Sequence, residues 1–553
     1  MRPKWEIKET IVPDTSFNVA LNKIKNVLLN NRGINSIEKF NSFIHVENKD
    51  SYDPFLLPDM KKAVDRISNA INNQEIIGIL GDFDVDGLTG TALLCKALKQ
   101  LKVETIPYIP NRVTEGHGLN KGIIDKFKSR NVSLIITVDC GTGSAKEVEY
   151  ASSLDIETII TDHHTITSEL PKAIAIVNPL QSKSQYQFTK LTGAGLAYKL
   201  TEALFSFLGL KYPTNLIQMA AIGTIGDIAP LIEENRYIVK NGIDEIKKTP
   251  NPGIQTIIEL IRYPTEINSE LISFQIIPKL NAPGRLDSPE LSLEILLTDD
   301  YAQAKIISRK LDFINDKRKF LTDQVMEEAL DKIDNTSEII FLEDDQWPIG
   351  IIGLVANKIQ DQFNKPAFII HKSIATSRGS ARCPETFNLV QTLEECSNLL
   401  EDFGGHPQAA GFSIRTEKIN ELKNAIEKIA NKQISKLRVP LSKLIDCKLP
   451  IKYLKTETFE FINSLEPFGK GNPEPIFMTN QVFVSDVQKI GANQNHLKFK
   501  LRHEGWKGPA IGFNLGHIPV KSGDLIEIIY NAKNKTWSGK KFIELNIIDL
   551  KKH

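Results

Sequence analysis

A chain of 553 residues, 41% hydrophobic and 25% charged, has room for roughly three to four domains and is too apolar to be disordered throughout. Its 68 Lys+Arg balance 68 Asp+Glu, which excludes a uniformly cationic nucleic-acid binder but not a locally cationic one. Residues 441–553 hold 17 Lys+Arg against 11 Asp+Glu, a net +6, so the remainder carries −6.

Residues 1–60 read as a polar N-terminal segment with helical pieces that exits through Asp53-Pro54 and Pro58. A run of βα units follows. Residues 75–80 (EIIGIL) have the pattern of a short buried strand, a Gly/Asp turn comes next, and 88–101 has helical apolar spacing. Further strands are expected at 103–109, 134–138 and 158–161, with a helix at 144–153. Apolar strands alternating with helices predict an α/β fold with a doubly wound parallel sheet over 61–235. Residues 236–335 read as helical and end in an uninterrupted, charge-rich helix over 299–333 that joins two domains. A smaller α/β domain is expected at 336–435, with strands IIFLE, AFIIH and GFSIR. The last segment, 436–553, has short strands at 482–484, 497–501 and 526–529 between Gly/Asn turns, which predicts a small antiparallel β-barrel.

The five cysteines (Cys95, Cys140, Cys383, Cys396, Cys447) form no CxxC pair, and the start MRPKWEIKETIVPD has no signal-type apolar run. No stretch approaches ~18 uncharged apolar residues. A reduced, cytoplasmic protein without membrane spans is the expectation.

Three acidic turns end apolar strands: Asp82-Phe-Asp84-Val-Asp86-Gly, Asp139-Cys-Gly and Asp162-His163-His164. An isolated Asp after a strand is usually a helix N-cap or turn former. Three in successive βα units share the carboxyl edge of one sheet, where repulsion between carboxylates calls for cations. Asp227, in the Gly-punctuated run AIGTIGDIAPL, is a fourth candidate. Carboxylate and imidazole ligands suit Mn²⁺ or Mg²⁺, and two such ions ~3.5–4 Å apart suit phosphoester hydrolysis. No GxxxxGK[ST] loop or zinc spacing competes with this reading.

Two further features concern a polyanion. The segment Ser377-Arg378-Gly-Ser-Ala-Arg382 and Gly404-Gly-His406 combine glycines, which let a backbone approach a phosphate, with arginine forks. In His496-Leu-Lys-Phe-Lys-Leu-Arg502, strict alternation sends Leu497, Phe499 and Leu501 inward and Lys498, Lys500 and Arg502 to one outer face. That row, with Trp506, Phe513 and Trp537 near, suits a single strand held by charge and stacking.

The acidic turns, with Arg112-Val-Thr-Glu-Gly-His117-Gly between the first two, resemble the successive motifs of the DHH phosphoesterase superfamily. Gly223–Pro230, Asn281-Ala-Pro-Gly-Arg285, Gly404–Gly411 and Pro467–Pro473 extend the likeness to the superfamily's single-strand-specific DNA exonucleases. The resemblance implies a DHH domain, a DHH-associated domain that contacts the strand, and a C-terminal OB-fold. It implies an enzyme that degrades single-stranded DNA from 5′ to 3′ to mononucleotides in repair and recombination; a helicase and a single-strand-binding protein are candidate partners that the sequence itself does not specify. By the same route, one metal is held by Asp86, Asp139, His163 and Asp227, and the other by Asp84 and Asp139 with Asp82 nearby. Asp84, Asp139 and His164 are then the catalytic groups. How Asp82, Asp84 and Asp86 divide stays open, although alternation suggests that Asp84 and Asp86 share a side. Arg112, Asn281, Arg285, Ser377, Arg378, Arg382 and His406 become substrate contacts, with Lys498, Lys500 and Arg502 on the barrel. His117, where the family more often has an aromatic, and Pro283, where a small residue is usual, are departures. Hydrolysis of short oligoribonucleotides or cyclic dinucleotides, or a non-catalytic DNA-binding role, are the competing readings.

Overall fold

The computed structural model describes residues 4–46, 51–112, 114–166, 169–261, 266–334, 336–434, 442–491, 493–537 and 540–552. The chain divides into two compact units. One comprises Tyr52–Ala229 and Ile238–Arg438, the other Met1–Ser51, Pro230–Tyr237 and Val439–His553.

The larger unit contains two five-stranded sheets. The first is wholly parallel, in the order Thr105–Tyr108, Ile76–Gly81, Val132–Val138, Glu157–Thr161, Ala175–Val177. Its central strands are nearly continuous runs of buried Ile, Leu and Val, as a sheet covered on both faces requires. The strand order reverses between Ile76–Gly81 and Val132–Val138, so the loops after these two strands diverge and leave a crevice at the carboxyl edge. Helix Val85–Gln100 leaves the first of these loops and is buried over most of its circumference.

The second sheet runs Leu400–His406, Ala409–Arg415, Thr376–Arg382, Ala367–His371, Ile340–Asp344 and is antiparallel except for its last pair. The segments 377–382 and 404–406 are therefore strand, and the arginine-bearing stretch shows the pleat's alternation. Ser377 and Ala381 are buried on the core side, whereas Arg378 is exposed.

Between the sheets, helix Tyr301–Lys332 starts at Asp300, whose side chain accepts hydrogen bonds from Ala302 N and Gln303 N. Ala304, Ile307, Leu311, Val325 and Ala329 are buried along one face, where helices Pro252–Glu259, Ile277–Leu286 and Ile349–Phe363 pack.

In the smaller unit, Phe477–Ile490, His496–His503, Trp506–Gly512, Lys540–Lys552 and Leu525–Trp537 close into a five-stranded barrel, the first and last strands pairing with each other. The strands run well beyond the cores expected from sequence. Strand Lys4–Thr10 pairs in parallel with Ser442–Lys448, which in turn pairs with Phe477–Ile490. Helix Phe17–Asn30 adds Ala20, Ile24 and Leu28 to the barrel core. The N-terminal segment thus contains a strand as well as helices, and residues 4–46 pack with the barrel instead of standing apart. Among the described residues, no helix is long and apolar enough to cross a membrane.

Candidate active site

Each acidic side chain is fixed by its local backbone. Asp84 is the N-cap of helix Val85–Gln100; its Oδ1 accepts from the amides of Asp86 at 2.9 Å and Gly87 at 3.3 Å. The ordinary capping role and a place in the acidic cluster therefore coexist in one carboxylate. Asp86 sits in the first helical turn, 1% exposed, and accepts from Gly193 N at 2.6 Å and Ala194 N at 3.0 Å at the start of helix Gly193–Phe207. Asp139 follows its strand with φ 64°, a left-handed conformation that Asp tolerates better than most side chains. Asp227 caps helix Ile217–Gly226. The next residue, Ile228, has φ 55° and is 67% exposed; a β-branched side chain there is strained, as backbones beside functional groups often are.

The cluster is tight. His163 Nε2 lies 3.0 Å from Asp139 Oδ1 and 4.0 Å from Asp86 Oδ2. Three sets each have donor atoms within 4.8 Å of one another: Asp86, His163 and Asp227; Asp82, Asp84 and Asp139; and Asp139, His163 and His164. Asp84 and Asp86 fall in different sets, against the shared side that strand alternation suggested. The chain is already turning into a helix at Asp84, so a period of two no longer applies.

The electrostatics match this crowding. Burial and the charges of Asp82 and Asp227 raise Asp84 to about 6, and burial with Asp86 raises Asp227 to about 6. Burial and its acidic neighbours push Asp139 well above the usual carboxylate range. Asp82 Oδ1 and Asp139 Oδ1 are buried and make no hydrogen bond, although the His117 and His163 ring nitrogens stand 3.5 and 3.0 Å away. Buried oxygens in that state are costly unless a cation completes them. The donor set, five aspartates and a histidine with orphaned oxygens, fits a divalent metal pair.

Asp162 was not singled out as a site residue by sequence. Its Oδ2 accepts from Thr142 N at 2.9 Å, and its Oδ1 stands 2.7 Å from His164 Nδ1. Burial works to raise the Asp162 pKa, but these hydrogen bonds win and hold it below the usual range. The bond to Asp162 raises His164 to about 9. Gly193 and Ala194, whose amides hold Asp86, were also missed. The only signal was the Thr192-Gly-Ala-Gly helix start, with Thr192 as N-cap.

The second sheet supplies the facing groups. The His406 ring lies nearly parallel to that of His164, centroids 6.3 Å apart and planes 13° apart. Arg378 Nη1 reaches Arg112 O at 3.5 Å, and the Arg112 guanidinium stands 5.1 Å from the Phe83 ring centroid. Burial, then the charges of Arg112, Arg318 and Arg382, lower Arg285 to about 9. The arginines thus form a cationic group in which Arg318, from the connecting helix, is a member that sequence missed. His117 Nδ1 is 3.5 Å from Asp82 Oδ1, its ring against Phe83. Asn281 Oδ1 is buried without a partner. Ser377 is not brought to this group: its hydroxyl lies 2.7 Å from Thr416 Oγ1 on the buried side of its strand.

On the barrel, Lys498, Lys500 and Arg502 are exposed and Leu497, Phe499 and Leu501 buried, in the expected alternation. Lys500 Nζ lies 3.4 Å from Asp486. Phe513 is exposed against His496, whereas Trp506 packs toward the core and over Gly508. The Trp537 side chain lies outside the described residues.

Comparison with known proteins agrees with this arrangement. Residues 76–224 match the DHH family N-terminal domain, 324–432 the DHHA1 domain and 445–549 the RecJ OB domain. The chain is similar to the single-stranded-DNA-specific exonuclease RecJ of Bacillus subtilis, 34% identical over 99% of this chain and 70% of that protein. It is also similar to the crystal structure of Thermus thermophilus RecJ in complex with Mn²⁺, with TM-score 0.83 and 27% identity over the whole chain and 80% of that one. The Mg²⁺ complex of the same protein gives TM-score 0.77 at 27% identity, over 100% and 78%. Domain order, fold and the extent of these identities lead to one conclusion: the chain belongs to the RecJ family.

Proposed function

We propose that this chain is a metal-dependent exonuclease that degrades single-stranded DNA from 5′ to 3′ to mononucleotides during repair and recombination. The observation that carries the reading is the cluster of Asp82, Asp84, Asp86, Asp139, His163 and Asp227 at the switch point of a parallel sheet, with two buried carboxylate oxygens that make no hydrogen bond. Asp86, His163, Asp227 and Asp139 would hold one Mn²⁺ or Mg²⁺, and Asp84, Asp139 and Asp82 the other. When bound, such a pair activates water and neutralises charge on the attacking and leaving oxygens.

The rest of the work falls to the protein. Asp162 orients His164 and keeps it protonated, so an imidazolium N–H is offered to the scissile phosphate. His406 stands beside it. Arg112, Arg285, Arg378 and Arg382 provide the forks for flanking and terminal phosphates, and Asn281 a polar contact beside them. A pocket that takes a 5′ phosphate makes the direction of digestion a matter of geometry. The barrel row Lys498, Lys500 and Arg502 gives the strand a second, sequence-independent grip. Such an enzyme needs an unpaired end, so a helicase and a single-strand-binding protein are its natural partners.

The test uses the purified protein with 5′- or 3′-labelled single-stranded DNA, duplex DNA and short RNA, in Mn²⁺, Mg²⁺ or EDTA. Mononucleotide release from single strands, starting at the 5′ end and lost in EDTA, is expected. Release confined to short RNA, or no release at all, overturns the proposal.

A further inference from the structure

The outward face of the connecting helix Tyr301–Lys332 is used by nothing described so far. Three large apolar side chains recur on it at a spacing of seven residues: Ile306 at 59% exposed, Phe313 at 72% and Phe320 at 68%. At 3.6 residues per turn these fall within about 20° of one line, roughly 21 Å long. Arg309, Lys310 and Lys317 lie between them on the same side. None of these cations has an ion-pair, hydrogen-bond or ring partner among the described residues. The acids of this stretch are engaged: Asp312 pairs with Lys279, and Asp316 with Lys319 at 3.0 Å. The stripe is therefore apolar and aromatic, interrupted by uncompensated positive charge.

We propose that this stripe binds single-stranded DNA, stacking bases on Phe313 and Phe320 while Arg309, Lys310 and Lys317 neutralise the intervening phosphates. The proposal rests on the exonuclease reading above and adds a strand-binding surface outside the catalytic cluster and the barrel. Phenylalanines alternating with unpaired cations match a polymer that alternates flat apolar bases with anions. A second copy of this chain fits worse, because facing stripes would place Lys310 and Lys317 among like charges. At the 3.4 Å rise of a stacked strand, 21 Å spans at most about six phosphates, so oligonucleotides too short to occupy both the cleft and the stripe would not sense it.

The experiment compares the intact protein with F313A/F320A and with K310Q/K317Q. Fluorescence anisotropy is read in EDTA on 5′-labelled oligonucleotides from five to forty nucleotides, and hydrolysis is read on the same set in Mn²⁺. The expected result is binding of long strands weakened by about thirtyfold or more for the phenylalanine pair, with five-nucleotide substrates cleaved at the parental rate. For the lysine pair the slope of log affinity against log salt should fall by about one to 1.5. Unchanged long-strand affinity in both variants overturns the stripe while leaving the exonuclease intact. So does a stripe whose loss alters only self-association in sedimentation or only binding to anionic vesicles. An unmutated protein that neither binds nor cleaves single strands would instead remove the underlying reading. Circular dichroism and thermal midpoints on both variants separate loss of contact from loss of fold.

Discussion

Gly193 offers a sharp test of how the site is built. A Cβ at this position would stand 2.8 Å from both the Cα and the Cγ of Asp139, and nearer still to its Cβ, where ordinary contact begins at 3.4 Å. The same residue's amide donates to Asp86 at 2.6 Å. In Gly193→Ala, two effects oppose each other. Replacing a helical glycine by alanine favours the helix by about 0.5–1 kcal/mol. Overpacking a buried position costs about 1–3 kcal/mol, and Asp139 is buried with its backbone in a left-handed conformation, so it has little room to yield. Packing wins, and the thermal midpoint falls by a few degrees. Activity suffers far more. Asp139 must shift by on the order of 1 Å, and a misplacement of that size at a reacting centre costs about 100-fold in rate. The assay is release of acid-soluble nucleotides from labelled single-stranded DNA in Mn²⁺, alongside thermal melts of the metal-free protein. Gly143→Ala is the control, because a Cβ there meets nothing within 4 Å. A folded Gly193→Ala with the parental rate would refute the assignment of Asp139 and Asp86 to the working site.

Other outcomes follow from the same geometry. Asp139→Asn removes the carboxylate common to two donor sets and should lower Mn²⁺ affinity and rate by at least about tenfold to a hundredfold, read by calorimetry and nucleotide release. Adding Mn²⁺ at a hundred times its dissociation constant should stabilise the metal-free protein by about 2.7 kcal/mol, and EDTA should reverse the shift in melting. Ile228→Gly relieves a left-handed isoleucine worth about 1–2 kcal/mol, partly offset by glycine's entropy, so its melting temperature should rise. Burial works against Asp59, but Lys62, Lys183 and the Ile176 amide hold its pKa below the usual value. Its stabilising effect is present above the unfolded carboxylate pKa near 4 and lost as pH falls through the folded one. Asp59→Asn should therefore lower the melting temperature at pH 7, with the difference shrinking toward pH 3.

Local chemistry carried much of this protein into its sequence. The buried runs EIIGIL and LIITV, each closed by an acidic turn, specified a parallel sheet with carboxylates along one edge, because strand burial and turn preference are set by a few adjacent residues. The alternation of residues 496–502 fixed which barrel side chains point outward for the same reason. What the tertiary structure alone decided involves partners distant in the chain. Gly193 and Ala194 hold Asp86 across 107 and 108 positions, and no local pattern marks them as its partners. The Arg378 strand meets Arg112 only because two sheets face each other within one unit. Ser377, adjacent to Arg378, is turned inward by the pleat and bonds to Thr416 instead. The strand Lys4–Thr10 finds its partner more than 430 residues away, at Ser442–Lys448. Motifs fixed the kind of chemistry, since residue type sets charge and ligand character. Packing fixed which atoms share it, since orientation and burial depend on neighbours that sequence order does not name.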